Sequence, residues 1–256
     1  MEISGILNAV FRWFHVIAGV LWIGHLWFFN FVNIPFAAKM KEAGASKTVV
    51  PELMPRALFW FRWGAAWTWV TGVLLLLLVF YHGGALFESE RGWGPAAIVA
   101  VLLVFGAPFI YDALFKSPLA ANLRAVYTVA FLLVAATTLL MAHAAGFTYR
   151  GYNIHVGTLF GTIMAFNVWF RIWPSQQKII AAVKAGTAPD AALVAQAGQR
   201  SRHNTYMSVP MIWMMINLHT TAANFGVPGL NTILVVALGW WAVMLCYGKA
   251  GKVKGL

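Results

Sequence analysis

The chain has 256 residues, of which 61% are hydrophobic and 10% are charged, with 13 tryptophans and 19 phenylalanines. This composition excludes an ordinary soluble domain and predicts an integral membrane protein. The net charge of +11 does not indicate nucleic-acid binding, because the basic residues lie in loops between apolar runs, as membrane topology requires. Cys246 is the only cysteine, which excludes a disulfide framework, a thiolate metal cluster and covalent haem attachment.

Apolar runs long enough to cross a bilayer follow one another along the chain. A crossing needs about 20 mainly apolar residues, and backbone polar groups in lipid must be satisfied within the segment, so these runs predict helices. The predicted spans are 7–35, 57–81, 95–113, 124–146, 153–173, 205–223 and 229–248. The first is too long to stand upright and is expected to tilt or project. We predict an all-α, polytopic transmembrane helical bundle of about seven spans, forming a single membrane domain, 1–256.

The basic residues fall mainly on one side of this predicted topology. They cluster after the first, third and fifth spans and in the C-terminal tail, whereas the opposite loops contain little beyond Arg91 and Arg150. The positive-inside rule then places the N-terminus outside and the C-terminus in the cytoplasm, in a bacterial inner membrane. The polar segment 175–202 has helical periodicity on both sides of a break at 186–189, which predicts a cytoplasmic helical hairpin.

Most of the histidines lie within or at the ends of apolar runs, where an ionisable side chain is costly and usually functional. These residues are His15, His25, His143, His155 and His219. The predicted topology places all of them except His25 in the outer half of the bundle, on four different helices. His25 lies about 15 Å deeper than His15 along the same helix.

This arrangement predicts a noncovalent haem b, or two, held by imidazole ligands from facing helices. Zinc or copper is less favoured, because the sequence offers no carboxylate or thiolate partner and no H-E-x-x-H motif. His203, at the start of the sixth span, is a further candidate that could serve a deeper site with His25. His82 lies beside two glycines and is interpreted as an exposed turn residue. For each membrane histidine, hydrogen bonding to a neighbouring helix is the alternative.

Other polar side chains at membrane depth have candidate roles beside the haem. Arg12, Arg62 and Arg150 could neutralise haem propionates or an anionic substrate, although snorkelling explains Arg62 equally well. Hydrogen bonding between helices is the expected role of Asp112, Asn30, Asn33, Asn167 and Asn217. Packing of the sixth span is the expected role of Met207, Met211, Met214 and Met215, with axial ligation as the less favoured alternative.

Two segments resemble the membrane-bound urate oxidase (urate hydroxylase) family. The first is 14–25, FHVIAGVLWIGH, followed by FNFVN at 29–33, and the second is 202–210, RHNTYMSVP. The resemblance implies a helical membrane domain that oxidises urate to 5-hydroxyisourate and passes the electrons to a cytochrome c domain fused at its C-terminus. The sequence departs from that pattern, since it reaches Leu256 without a haem c attachment motif. A separate cytochrome would then accept the electrons, or the chain would retain electron transfer alone.

Three functions therefore stay open at this point. The first is a haem b enzyme that oxidises urate near the outer histidines. The second is a haem b electron-transfer subunit of a larger redox complex, with a cytochrome c or a quinone as its electron partner and no substrate of its own. The third is a metal transporter or a structural membrane subunit. All three imply contact with membrane lipid and none implies nucleic acid, and the sequence does not identify catalytic residues.

Overall fold

A computed structural model describes residues 3–220 and 223–253 of the chain. These residues are helical almost throughout and form no strand, and an isolated β-bridge pairs Phe87 with Phe147. The all-α prediction is confirmed. The α-helices are α1 (Ile3–Trp27), α2 (Ile34–Glu42), α3 (Ser46–Leu75), α4 (Pro95–Lys116), α5 (Leu123–Leu139), α6 (Tyr149–Asn167), α7 (Trp173–Ala185), α8 (Ala191–Ile216) and α9 (Leu230–Ala250).

Several helices continue directly into π-helical stretches. Phe28–Asn33 joins α1 to α2, and Val168–Ile172 joins α6 to α7, while Leu76–His82 and Leu140–Ala144 extend α3 and α5. π-Helical turns are rare and occur frequently at functional sites. As a result, α1 with α2, and α6 with α7, form long continuous helical segments that reach beyond the predicted spans.

Within the described residues, five helical segments are long and apolar enough to cross a membrane, as expected of an integral membrane protein. They are Ile3–Glu42, Ser46–His82, Pro95–Lys116, Leu123–Ala144 and Leu230–Ala250, and they overlap the first four predicted spans and the last. The predicted fifth and sixth spans lie in α6 and α8. Most side chains of α6 are buried by neighbouring helices. A helix that does not face lipid can carry polar groups, which explains the lower hydrophobicity of α6.

The polar segment around 186–190 separates α7 from α8. Gly186 ends α7 in the left-handed conformation, with φ of 75°, which favours glycine. The Asp190 carboxylate then caps α8 by accepting a hydrogen bond from the Ala192 N–H at 2.7 Å. α8 runs without a break through the second arm of the predicted hairpin and into the predicted sixth span. It ends at Ile216, before the predicted bound at 223, so that His219 lies in the loop that follows and is exposed.

Small residues allow the helices to approach one another closely. A Cβ on Gly64 of α3 would lie 3.1 Å from the backbone nitrogen of Trp22 on α1, and a Cβ on Gly239 of α9 would lie 2.8 Å from Pro210 of α8. Such contacts are typical of membrane helices, where van der Waals packing replaces hydrophobic association. α6 occupies the middle of the bundle, packed against α4 and α8, and its polar side chains contribute to the interior described next.

Candidate functional site

The polar side chains of the interior gather at two ends of the bundle. One group surrounds Asp112, where the end of α4 meets the end of α6 and the first half of α8; we refer to this as the Asp112 end. The other surrounds His155, near the start of α6 and the end of α3, and is the His155 end. On α6, His155 and Asn167 are about 18 Å apart at the helical rise. The two groups are therefore separate sites.

Asp112 is the acceptor for several cations at its end of the bundle. Its carboxylate accepts two hydrogen bonds from Arg171, at 2.7 and 3.1 Å, and one from Arg200 at 2.9 Å. The ammonium group of Lys116 lies 2.6 Å from the same carboxylate. The Arg200 side chain is only 4% exposed. Because charge-assisted and bidentate hydrogen bonds are the strong ones, this cluster connects α4, α8 and the π stretch after α6.

His203 lies next to this cluster and is held by two tyrosines. Its Nδ1 is 2.6 Å from the hydroxyl of Tyr111, and its Nε2 is 2.7 Å from the hydroxyl of Tyr127. The Phe115 ring packs on the imidazole, with a centroid separation of 4.5 Å. Asn167 donates a hydrogen bond to the Tyr111 oxygen at 3.3 Å. Both nitrogens of His203 are consequently occupied by groups that can each donate or accept a proton.

A cavity of about 350 Å³ extends from His203 between α4 and α5, and we refer to it as the α4–α5 cavity. Tyr111, Tyr127, His203, Arg202 and Tyr206 line its polar end. Apolar side chains of α4, α5, α6 and α9, including Leu114, Ala130, Val134, Phe160 and Trp240, supply most of the remaining wall.

A second cavity, of about 440 Å³, lies between α1, α3, α6 and α8, and we refer to it as the His15 cavity. Its walls are almost entirely apolar. Glycines supply much of the lining, and they are Gly19, Gly24, Gly72, Gly157 and Gly161. His15 lines the cavity from α1, and Met211 and Met215 line it from α8. The cavity therefore combines an imidazole, thioether sulfurs and a wall of glycines and tryptophans.

The hydrogen bonds around His15 fix which of its ring nitrogens carries the proton. The Thr71 hydroxyl donates to the backbone oxygen of Trp67 at 2.6 Å, so its oxygen accepts from His15 Nδ1, at 3.2 Å. His15 Nε2 then carries a lone pair and has no hydrogen-bond partner among the described residues. A Cβ on Gly72 would lie 2.9 Å from the imidazole, so glycine leaves the ring its space. A metal-ligating histidine typically donates its other N–H to a fixed partner in this way.

The remaining predicted haem ligands are dispersed. His155 is fully buried; its Nδ1–H donates to the Gly151 oxygen at 2.7 Å, and its Nε2 accepts from the Tyr81 hydroxyl at 2.9 Å. His25 donates from Nδ1 to the Leu21 oxygen at 2.7 Å. His143 and His219 are exposed, and His143 Nε2 donates to the Pro228 oxygen at 3.1 Å.

The structure does not gather the four predicted outer histidines into one cluster. Within residues 3–220 and 223–253, no group of three or more His, Cys, Asp or Glu side chains could hold a metal ion. Haem needs at most two protein ligands, so the haem assignment of each histidine stays a prediction. Of the histidines discussed above, His15 and His203 are the two that line a described cavity.

The predicted anion partners lie apart from the two cavities. Arg12 is exposed. The Arg62 guanidinium stacks on Trp173 at 3.9 Å from the ring centroid, and that of Arg150 lies 5.9 Å from the centroid of Phe80. These are cation–π contacts. A role for these arginines beside propionates or a substrate stays a prediction.

Comparison with known protein families identifies the chain. A family model described as urate oxidase N-terminal matches residues 40–245. The chain belongs to the urate oxidase N-terminal family. Comparison with curated proteins and with solved structures gives no match. The family prediction is confirmed, and the segment 202–210 on which it partly rested lies inside the matched region, whereas 14–33 precedes it.

In this urate oxidase family member, hydrogen bonds connect the helical segment that contains the first resembling stretch with the helix that contains the second. Asn30 donates to the Ser201 hydroxyl at 2.8 Å, and Trp27 donates to the Ser208 hydroxyl at 2.9 Å. His203 and Asn204 of the second segment are buried in the polar network. These segments therefore contribute to the structural connection between the start of the chain and the Asp112 end.

The ion cluster and the tyrosines of this urate oxidase family member are absent from the predicted site residues. The sequence predicts only hydrogen bonding between helices for Asp112 and assigns no role to Arg171, Tyr111 or Tyr127. A signal was present, since Asp112 is the only acidic residue inside any predicted span. A carboxylate at membrane depth requires a cationic partner, and Arg171 lies inside the predicted fifth span.

Proposed function

We propose that this chain is a membrane redox protein that binds a noncovalent haem b in the His15 cavity and oxidises urate to 5-hydroxyisourate. The observation that carries the proposal is the His15 cavity itself, where an imidazole with a bare Nε2 lines an apolar space of about 440 Å³. Membership of the urate oxidase N-terminal family supports urate as the electron donor.

The residues of the His15 cavity fit a haem. Its volume lies within the range of about 300–1,000 Å³ found for cofactor and ligand sites. Several glycines line it, and a Cβ on Gly157 would lie 3.0 Å from Met214, so there is little room for a larger residue at that position. His15 would hold the haem through its imidazole, and Met211 or Met215 would offer a thioether sulfur as a further ligand. Bound there, haem would supply one-electron redox chemistry.

Thr71 has a positioning role in this proposal. Its oxygen accepts a hydrogen bond from His15 Nδ1–H, because its own hydroxyl donates to the Trp67 oxygen. A hydrogen bond of this kind orients a ligating imidazole and raises the basicity of the other nitrogen. On the facing wall, the Trp69 indole donates to Thr162 at 3.1 Å, which connects α3 with α6.

The overall oxidation adds the oxygen of one water to C5 of urate and releases two protons and two electrons. In this proposal a cytochrome c or a quinone accepts these two electrons. A second candidate function, an electron-transfer subunit without its own substrate, is favoured by the α4–α5 cavity, whose lining includes the surface-exposed apolar side chains of Ile110 and Leu133.

The absorption spectrum of the purified protein tests the proposal. We expect Soret and α bands after dithionite reduction, and reduction of the same haem by urate. His15→Ala should abolish the bands, and His82→Ala, at an exposed position outside the cavity, should keep them. Wild-type protein without haem bands would overturn the haem proposal, and an unchanged spectrum of His15→Ala would overturn this site. Haem that urate does not reduce would support the electron-transfer subunit instead.

A further inference from the structure

We infer that the α4–α5 cavity is the binding site of a lipid-soluble quinone, with its ring at Tyr127 and His203 and its isoprenoid tail between α4 and α5. The role of the bound quinone, as the acceptor of the electrons from urate, rests on the proposed redox function. The site itself is argued from the shape, lining and hydrogen bonds of the cavity.

The α4–α5 cavity is polar at one end and apolar elsewhere. Tyr127 and His203 lie at the polar end, whereas Ala130 and Val134 continue the wall one and two turns further along α5. Ile110, Leu123 and Leu133 line the cavity and are also exposed on the outer surface of the bundle. An exposed leucine or isoleucine on a membrane helix faces lipid. The cavity therefore opens between α4 and α5 into the region of the acyl chains.

The chemistry of this cavity selects an amphipathic ligand. A urate anion would leave most of its polar atoms unpaired against apolar walls, which is energetically costly. A phospholipid acyl chain would be satisfied by the apolar walls alone and would leave the tyrosines and His203 without a ligand. A quinone has two ring carbonyls that accept hydrogen bonds and a hydrocarbon tail that needs none. Its two parts match the two parts of the cavity.

The hydrogen bonds of His203 leave a donor for a quinone carbonyl. A protonated imidazole would add a cation beside the buried Arg200, so His203 is neutral, with one N–H and one lone pair. The Tyr111 oxygen accepts a hydrogen bond from Asn167, and the Tyr111 hydroxyl donates to His203 Nδ1. His203 Nε2–H then donates to the Tyr127 oxygen. The hydroxyl proton of Tyr127 is left to donate into the cavity.

The same chain of hydrogen bonds provides a route for a proton. Reduction of a quinone takes up two electrons and two protons and converts both carbonyls to hydroxyls. Tyr127 passes its proton to one carbonyl oxygen, His203 Nε2–H restores the Tyr127 hydroxyl, and Tyr111 donates to Nδ1. Solvent supplies the second proton and reprotonates Tyr111. The sum, urate plus water plus quinone giving 5-hydroxyisourate plus quinol, balances in atoms and electrons.

Direct binding of a short-chain ubiquinone analogue tests the site without requiring either haem or urate. The protein is placed in phosphatidylcholine nanodiscs, and binding of the radiolabelled analogue is measured at equilibrium. Ala130→Phe fills the cavity and is expected to weaken binding by about tenfold or more, as loss of a well-packed apolar site implies. The matched control is Ala136→Phe. Ala136 lies on the exposed face of α5 and does not line the cavity, so this variant should bind the analogue as the wild type does.

A second variant tests the hydrogen bond and remains informative if Ala130→Phe does not fold. Tyr127→Phe should weaken binding by about fivefold, equivalent to one hydrogen bond of about 1 kcal/mol. It should also slow quinone reduction while reduction of haem by urate stays at the wild-type rate. The control is Tyr152→Phe, on α6 at the His155 end of the bundle. It should leave quinone binding and quinone reduction unchanged.

The outcomes separate this inference from the proposed function. Quinone binding that Ala130→Phe or Tyr127→Phe weakens, in a protein whose haem urate does not reduce, would support the site and overturn the urate reaction. Reduction of haem by urate, with no quinone binding or with equal binding in Ala130→Phe, Tyr127→Phe and Ala136→Phe, would overturn the quinone site and support only the proposed function. Loss of binding in Ala136→Phe alone would also overturn it, in favour of adsorption on the outer surface.

Discussion

His155 and His203 are both buried and both bonded to tyrosine, yet the two ends of the bundle hold their imidazoles differently. His155 donates from Nδ1 to the Gly151 carbonyl, which can only accept, so its tautomer is fixed. His203 has hydroxyls on both nitrogens, and each hydroxyl can donate or accept. The His155 imidazole therefore keeps its proton on Nδ1, whereas the His203 imidazole can take up a proton on one nitrogen and release one from the other.

The two ends also differ in charge. The Asp112 end contains a carboxylate with guanidinium and ammonium partners, whereas the hydrogen-bond partners of His155 are a neutral hydroxyl and a backbone carbonyl. We therefore expect the Asp112 end to depend on charge balance and the His155 end on neutral hydrogen bonds. Substitutions of Asp112 and Tyr81 test that contrast, and substitution of Thr71 tests the fixed tautomer of His15.

Asp112→Asn should be the most damaging single change. It leaves Arg171 and the buried Arg200 without their counter-charge, and removing one partner of a buried ion pair costs about 3–5 kcal/mol. The free energy of unfolding, measured by SDS titration in mixed micelles, should fall by that amount. Glu52→Gln, which breaks the exposed pair with Arg56, is the control and should have little effect. An Asp112→Asn protein as stable as wild type would show that the ion cluster is not the stabilising feature of this end.

Thr71→Ala tests whether His15 needs a fixed tautomer. Without the hydroxyl, His15 Nδ1 loses its acceptor, and haem affinity should fall by about 10- to 100-fold, as for other orienting partners of metal ligands. Haem retention during titration with apomyoglobin measures this. Thr71→Ser, which keeps the hydroxyl, should restore affinity; equal loss in both variants would assign the effect to packing.

Tyr81→Phe tests the neutral end. The buried His155 Nε2 would lose its hydrogen-bond donor, and stability should fall by about 1–2 kcal/mol. Tyr127→Phe is the matched change at the other end, and it should cost less, because His203 keeps Tyr111 and its Nε2 faces a cavity. Thermal unfolding of the two variants in the same detergent gives the comparison. Equal losses would mean that the two histidines are held alike.

The sequence alone predicts the helical segments well, because a long apolar run in lipid must satisfy its backbone hydrogen bonds within the segment, as a helix does. Helices α4, α5 and α9 begin within a residue or so of the predicted starts at 95, 124 and 229. The fifth and sixth segments were harder to delimit, since α6 and α8 are covered by other helices and carry polar residues such as Asn153 and Asn204. Their polar content reflects the bundle interior rather than the membrane surface.

The partners of the predicted site residues could not be obtained in the same way. Depth along a helix follows from the count of residues, but the direction of a side chain changes by about 100° per residue. His155 and His143 share a predicted depth, yet one is fully buried against Tyr81 and the other is exposed. The pairing of Tyr127 with His203 joins residues far apart in the chain, and no local pattern indicates it.

The number of residues in the π-helical stretch Val168–Ile172 determines where the Arg171 side chain lies. A π turn accommodates an additional residue within an α-helix, so deleting one residue there would restore α-helical phase. Because a π turn uses one more residue than an α turn for about the same rotation, α7 would keep its orientation relative to α6 after the deletion. Arg171 lies in the stretch itself, so its guanidinium would move relative to Asp112. Deletion of a residue in this segment should therefore weaken the ion cluster around Asp112 while leaving the packing of α7 in place.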